Sequence, residues 1–118
     1  TENKQDASES VFLTKAIELV EKNLHVPGYS VEQLSRDLCM ERTGLYRKLV
    51  AMLDQSPSLF IRNIRLQRAA QLILEGSLSI TEIAERTGFS SSSYLSKCFQ
   101  EMYGCRPSEY AEKMQKST

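Results

Sequence analysis

Apolar residues recur at helical spacing along most of the chain, and no segment shows sustained period-two alternation. A polar stretch without periodicity, residues 1–8, comes first and predicts a frayed tail or linker. The first apolar stripe follows it at positions that share one helix face: Leu13, Ala16, Ile17, Val20 and Leu24. Pro27 and Gly28 end this helical pattern. The whole pattern predicts an all-α fold with about seven helices.

Helix-start residues divide the rest of the chain. Ser30 with Gln33, and Ser79 with Glu82, have the spacing of capping boxes. Proline suits the first turn of a helix, and Pro57 and Pro107 each open a helical pattern. These signals predict the following helices: 31–38, about 42–53, 57–75, 80–87, about 91–103 and a short one from Pro107.

The predicted helices form an internal repeat. Residues 30–35 (SVEQLS) match residues 79–84 (SITEIA) at an offset of 49, and the segments after the turn match at an offset of 50. Each copy pairs a short capped helix with a longer one, as in a helix-turn-helix whose second helix enters the major groove of DNA. We expect these domains: a polar tail 1–8, a first helix-turn-helix subdomain 9–56, a linker helix 57–76 and a second helix-turn-helix subdomain 77–118.

The second helix of each copy has an apolar and a polar side. The apolar sides, expected in the core, are Leu45, Leu49 and Met52, and Leu95, Phe99 and Met102. The polar sides predict base-reading residues: Arg42, Thr43, Tyr46 and Arg47, and then Ser92, Ser93, Ser96 and Lys97. Arg bonds two guanine acceptors at once, Ser and Thr bond bases or phosphates, and Tyr contacts a thymine methyl group or a phosphate. The alternative is a solvated helix face, with Ser90 to Ser93 forming only a turn and an N-cap.

The charges are unevenly distributed although the net charge is zero, with 15 basic and 15 acidic residues. Residues 42–71 carry a net charge of +5 between flanks of −4 and −1, and such a local field attracts a polyanion. The sequence therefore predicts phosphate contacts from Arg62, Arg65, Lys48 and Ser91. The alternative is that these charges form ion pairs on the surface, the arginines with Glu18, Glu21 or Glu75.

Other chemistry is poorly supported. His25 is the only histidine, and the three cysteines lack the spacing of a zinc site, so neither a catalytic set nor a metal or other cofactor is expected. No glycine-rich phosphate loop and no apolar run of membrane-spanning length is present. The start at Thr1 shows no secretory pattern and no initiator Met, which predicts no signal peptide and a fragment of a longer protein.

About residues 11–111 resemble the DNA-binding domain of AraC-type transcription regulators. The resemblance is carried by residues 60–72 (FIRNIRLQRAAQL), 79–84, 88–90 (GFS), 93–99 (SYLSKCF) and 104–110 (GCRPSEY). Residues 44–49 (GLYRKL) and the run from Phe60 are most similar to the subgroup fused behind receiver domains of hybrid two-component systems. The resemblance implies a cytoplasmic output domain controlled by phosphorelay, with the intact protein either free or membrane-anchored. It also implies duplex DNA, receiver and sensor domains and RNA polymerase as partners, and no small-molecule ligand.

Three residues of the first copy depart from the family pattern. Cys39 replaces the usual glycine of the turn, where a left-handed backbone costs roughly 1–2 kcal/mol for other residues. Glu41 replaces a usual serine before the second helix, so its cap is in question. Asp54 replaces the glycine that ends that helix, whereas Gly104 keeps it in the second copy.

Two functions follow as hypotheses. In the first, both recognition helices enter successive major-groove segments of double-stranded DNA, which lie ~34 Å apart. In the second, the chain is a helical interaction module that contacts RNA polymerase or a receiver domain through the arginines from Arg62 to Arg68. An enzyme is disfavoured because the sequence holds no nucleophile and base set.

Overall fold

The computed structural model describes residues 4–116, with side chains from Ala7. Seven α-helices, and no strand, are found in this range: α1 Lys4–Lys22, α2 Val31–Asp37, α3 Arg42–Leu53, α4 Pro57–Glu75, α5 Ile80–Arg86, α6 Ser92–Tyr103 and α7 Pro107–Lys116. The expected all-α class is confirmed, and the predicted starts at Pro57 and Pro107 are the observed ones. None of the helices described is both long enough and apolar enough to cross a bilayer.

The chain divides into two units, each with its own core. The first unit consists of residues 1–23 and 29–61, and the second of residues 24–28 and 62–118, so the division falls inside α4. Buried apolar residues of the first unit come from every helix in it and from Tyr29, which precedes α2: Ala16, Val20, Tyr29, Leu34, Leu45, Leu49, Phe60 and Ile61. The core of the second unit is built from α4, α5 and α6 around Leu66, Leu95 and Phe99, none of which is exposed.

Local capping explains where the short helices begin. Ser30 accepts a hydrogen bond from the backbone N–H of Gln33, whose side chain accepts one from the Ser30 N–H. Ser79 and Glu82 form the same reciprocal pair at the start of α5. Each box satisfies two amides that would otherwise lack partners, so the predicted capping boxes are confirmed.

The two helix-turn-helix turns have the same backbone design. Cys39 in the first and Gly88 in the second adopt a left-handed conformation, with φ of 57° and 79°. The next amide then returns to the preceding helix, from Met40 N to Ser35 O (2.8 Å) and from Phe89 N to Ala84 O (2.9 Å). The left-handed backbone expected at Cys39 is therefore present in a residue that carries a Cβ.

The C-termini of α3 and α6 show the same difference, with glycine in the second unit and a residue that carries a Cβ in the first. Asp54 ends α3 with φ 57°, and Gly104 ends α6 with φ 76°. Glu41, at the N-cap of α3, makes no side-chain capping bond, whereas Ser91 caps α6. All three departures noted in the sequence thus place a less favourable residue in an unchanged backbone geometry.

Two expectations about the helices were wrong. Residues 4–8 are helical because α1 begins at Lys4, while residues 1–3 of the predicted tail lie outside the described range. Lys4, Gln5 and Ala7 in this segment are good helix formers, so it continues the helix without contributing to an apolar stripe. Met102, expected in the core, is 39% exposed because it lies in the last turn of α6, beyond the buried Cys98 and Phe99.

Candidate nucleic-acid interface

The first polar ridge consists of Arg42, Thr43, Tyr46 and Arg47 on α3. All four side chains are exposed, and Tyr46 retains 52% of its surface. Leu45 and Leu49 are fully buried on the opposite side of the helix and fix which way it faces. The expected division of α3 into a core side and a solvent side is therefore present, and an open groove of about 560 Å³ lies beside the ridge.

Arg42 of this ridge and Lys48 beside it already have partners within the first unit. Arg42 Nη1 lies 3.3 Å from Glu32 Oε1 of α2, and both side chains are well exposed. Lys48 Nζ lies 4.4 Å from the centroid of the Phe12 ring in a cation–π contact. Glu32 was missed by the sequence reasoning, because no local pattern links residues ten positions apart on different helices.

The second polar ridge consists of Ser92, Ser93, Ser96 and Lys97 on α6. Ser93 and Lys97 are exposed and the other two are half-buried, while Leu95, Cys98 and Phe99 are buried on the other side. Ser91 acts as the N-cap, since its Oγ accepts a hydrogen bond from Tyr94 N at 3.0 Å. The N-cap interpretation of the serine run thus holds for Ser91, whose exposed hydroxyl retains a proton for donation.

Arg65 does not lie on the surface, and the prediction that it contacts a phosphate is wrong. Its side chain is buried in the second unit, and only 6% of the residue is exposed. Its guanidinium donates hydrogen bonds to three backbone carbonyl oxygens: Leu24 O at 2.5 Å, Thr87 O at 2.8 Å and Val26 O at 3.1 Å. Burial lowers the pKa of this guanidinium. Arg65 is therefore a structural residue that supports the loop 24–28 and the end of α5.

The other arginines of α4 lie closer to solvent. Arg62 is about one-third exposed, and its Nη1 lies 3.9 Å from Glu101 Oε2 of α6. Arg68 is exposed and donates to Gln71 Oε1 at 2.8 Å. The expected pairing with Glu18, Glu21 or Glu75 is replaced for Arg62 by Glu101. Since Arg65 is buried between them, the continuous arginine band that the interaction-module hypothesis needs is absent from α4.

Tyr94 is a further exposed aromatic residue on α6 that the sequence reasoning overlooked. It retains 46% of its surface, and its ring centroid is 5.9 Å from that of Phe89. A hydrogen bond to the Cys98 thiol is the main reason why the pKa of Tyr94 is raised. Its spacing of three residues from Lys97, which makes the two side chains neighbours on the helix surface, is the signal that could have found it.

The part of the chain that the structure describes holds no group of three His, Cys, Asp or Glu residues placed to bind a metal ion. The described residues form two helix-turn-helix units, each with a polar ridge opposite a buried apolar stripe. Ridges of this kind, rich in Arg, Lys, Ser and Thr, are suited to base edges and phosphates. The fold and these surfaces define the class of helix-turn-helix DNA-binding proteins.

Comparison with known proteins places the chain in a family. The family model of the helix-turn-helix domain matches residues 34–113. A crystal structure of a transcriptional regulator with an AraC-type DNA-binding domain, from Chromobacterium violaceum, superposes with a TM-score of 0.81 at 30% identity, over 91% of this chain and 95% of that one. The chain belongs to this family, as an AraC-type DNA-binding domain of transcription regulators.

Two further relatives point to signalling proteins. Histidine kinase P4 of Formosa agariphila is 39% identical over 99 residues, which are 84% of this chain and 7% of the kinase. The C-terminal domain of AraT, a response regulator from Geobacillus stearothermophilus, has a TM-score of 0.77 at 27% identity over 86% of this chain and 84% of that domain. The chain therefore spans only a small part of the curated kinase that it matches.

Proposed function

We propose that this chain is the output module of a bacterial, phosphorelay-controlled transcription regulator. Its two recognition helices, α3 and α6, read successive major-groove segments of one duplex. The observation that carries the proposal is the polar ridge on each recognition helix, exposed on α3 and exposed at Ser93 and Lys97 on α6, opposite buried apolar residues. The buried stripe fixes which side of each helix can meet DNA, and the ridge residues are those that bond base edges.

The two ridges differ in the contacts they offer. The first contains Arg42 and Arg47, which can each bond both acceptors of a guanine, and Tyr46, which can contact a thymine methyl group. The second contains three serines and Lys97, which provide weaker base discrimination and more phosphate contact. We therefore assign most of the sequence preference to α3. Arg62, Lys48 and Ser91 remain proposed phosphate contacts, with Arg65 removed from that set.

The control of this module is inferred from its relatives. A histidine kinase and a response regulator are among the proteins it resembles, and in both cases the similarity covers most of this chain. We assign it receiver and sensor domains as partners within a longer protein, RNA polymerase as a partner at the promoter, and a cytoplasmic location. Phosphorylation of the receiver should change the DNA affinity of the intact protein, and an unchanged affinity would contradict this control.

Footprinting with one variant in each ridge tests the two-groove arrangement. Arg47→Ala should weaken protection over one half of the bound site, and Lys97→Ala over the other half. Arg86→Ala is the matched control, because Arg86 is an exposed basic residue of α5 outside both ridges, and its footprint should be unchanged. If both ridge variants lost protection over the same half of the bound site, the proposal would be contradicted.

A further inference from the structure

An open groove of about 530 Å³ lies in the second unit and is lined by residues from the end of α4, the start of α5, α6 and the start of α7. Its floor is apolar and half-buried, and is formed by Ile73, Leu78, Ile80 and Ala111. Two exposed basic residues, Lys97 and Arg106, stand among the lining residues, and none of those residues is acidic. The groove therefore combines an apolar surface with positive charge at its edge.

We infer that this groove binds an amphipathic helix of a protein partner, with apolar side chains on the floor and carboxylates opposite Lys97 and Arg106. The floor favours protein over nucleic acid, because apolar side chains of a partner helix gain from burial against isoleucine and leucine, whereas phosphates and sugars do not. An amphipathic helix laid into a groove supplies apolar anchors at i, i+3, i+4 and i+7. The basic edge formed by Lys97 and Arg106 selects acidic flanks.

A groove at the matching place in the first unit has a similar volume, about 560 Å³, and Tyr46 stands there at the position of Ser96. The lining of that groove includes Arg42, Thr43, Ser56 and Ser58, whereas the lining in the second unit includes Ile73, Leu78, Ile80 and Ile83.

Occupation of the groove would exclude DNA from α6, since Ser96 and Lys97 line the groove and belong to the second polar ridge. This competition, unlike the binding itself, rests on the proposed function. The carboxylate of Glu109 lies at this edge, where its Oε1 accepts the backbone N–H of Arg106 at 3.4 Å. That bond engages the Arg106 backbone and not its guanidinium.

The first experiment measures binding without DNA. The probe is a labelled peptide of about 15 residues with leucines at i, i+3, i+4 and i+7 and glutamates beside them, and its counterpart carries lysines in place of the glutamates. The acidic peptide should bind and shift the amide resonances of Ile80 and Ala111, whereas the basic peptide should not. Equal binding of both peptides, no binding, or resonance shifts confined to other surfaces would overturn the inference.

A charge reversal makes this test specific. Arg106→Glu should lower the affinity for the acidic peptide by about tenfold and raise the affinity for the basic peptide, because the charge at position 106 changes sign. Arg86→Glu is the matched control, since this exposed basic residue does not line the groove, and it should leave both affinities unchanged. An equal loss with both variants would show that only net charge matters and would overturn the inference.

The second experiment measures competition on a duplex that the chain binds. The acidic peptide should raise the apparent Kd for DNA in proportion to its concentration, and Arg106→Glu should abolish this effect while DNA binding persists. Peptide binding with an unchanged DNA affinity would overturn the competition. If the chain bound no duplex at all, the proposed function would fail, and the peptide arm would still decide whether the groove binds acidic helices.

Discussion

The guanidinium of Arg65 lies where a side chain of Gly88 would begin. A Cβ at position 88 would overlap Arg65 Nη1 and the backbone oxygen of Leu24, and the backbone there has φ 79°. Gly88 is thus required both by its conformation and by the space that Arg65 takes. Cys39, at the matching position of the first unit, has the same left-handed backbone, but its side chain is exposed.

This contrast predicts opposite effects of two substitutions. Gly88→Ala should destabilise the chain by more than the roughly 1–2 kcal/mol of a left-handed non-glycine residue, because Arg65 must also move. Cys39→Gly should stabilise it by up to about 1 kcal/mol, since relief of the backbone strain exceeds the added entropy of the unfolded chain. Urea denaturation of both variants measures these free energies. Similar effects of the two substitutions would contradict the assigned difference between the turns.

Arg65→Lys should lower the free energy of unfolding by about 2 kcal/mol or more. A lysine ammonium lacks the planar fork that serves three carbonyl oxygens, so buried acceptors lose their partners. The salt dependence of DNA binding, measured at a temperature where the variant is folded, should be unchanged. Arg62→Gln is the comparison, because loss of a phosphate contact reduces the salt slope by about 1. A reduced salt slope for Arg65→Lys would indicate that Arg65 contacts a DNA phosphate and would contradict its assigned structural role.

The difference between Arg62 and Arg65 also shows what the sequence could and could not reveal. Local signals sufficed for the helices, because capping boxes and prolines act within one turn of the chain. Local signals also sufficed to predict which sides of α3 and α6 face the core, because an apolar stripe on one side of a helix places the polar ridge on the other. The burial of Arg65 depends on carbonyls 22 to 41 residues away, and no periodicity encodes such partners.

Arg47→Ala should cost about 1–3 kcal/mol on the preferred DNA site and relax the preference at one base pair. The reason is that both acceptors of a guanine lose the arginine that donates to them, whereas loss of a phosphate contact weakens binding to all sequences alike. Selection of bound duplexes from a random library, for the wild type and the variant, measures the change. Equal weakening on preferred and random DNA would show that Arg47 contacts the backbone only.

Alkaline pH should destabilise the first unit through Tyr29. Its hydroxyl donates to Asp37 Oδ2 at 2.9 Å, and burial, together with this carboxylate, raises the pKa of Tyr29 far above 10. Unfolded tyrosine loses its proton near pH 10, so the stabilisation is complete below that pH and declines as the pH rises above it.

Tyr29→Phe should reduce this decline by up to about 1.4 kcal/mol per pH unit above pH 10, because one fewer phenol titrates. Urea denaturation at pH 7 and at several higher pH values measures the slope. Tyr103, whose pKa burial also raises, contributes in the same direction and remains in the variant. Identical slopes for the wild type and Tyr29→Phe would contradict the assigned role of the Asp37 hydrogen bond.

The spacing of the DNA sequences that the chain selects tests the two-groove arrangement most directly. Selection from a random duplex library should return sites with two preferred blocks whose centres lie about 10 base pairs apart, which is one helical turn. Inserting about five base pairs between the blocks should abolish tight binding, because the second block then faces the other side of the duplex. A single preferred block, with affinity unaffected by that insertion, would contradict the account.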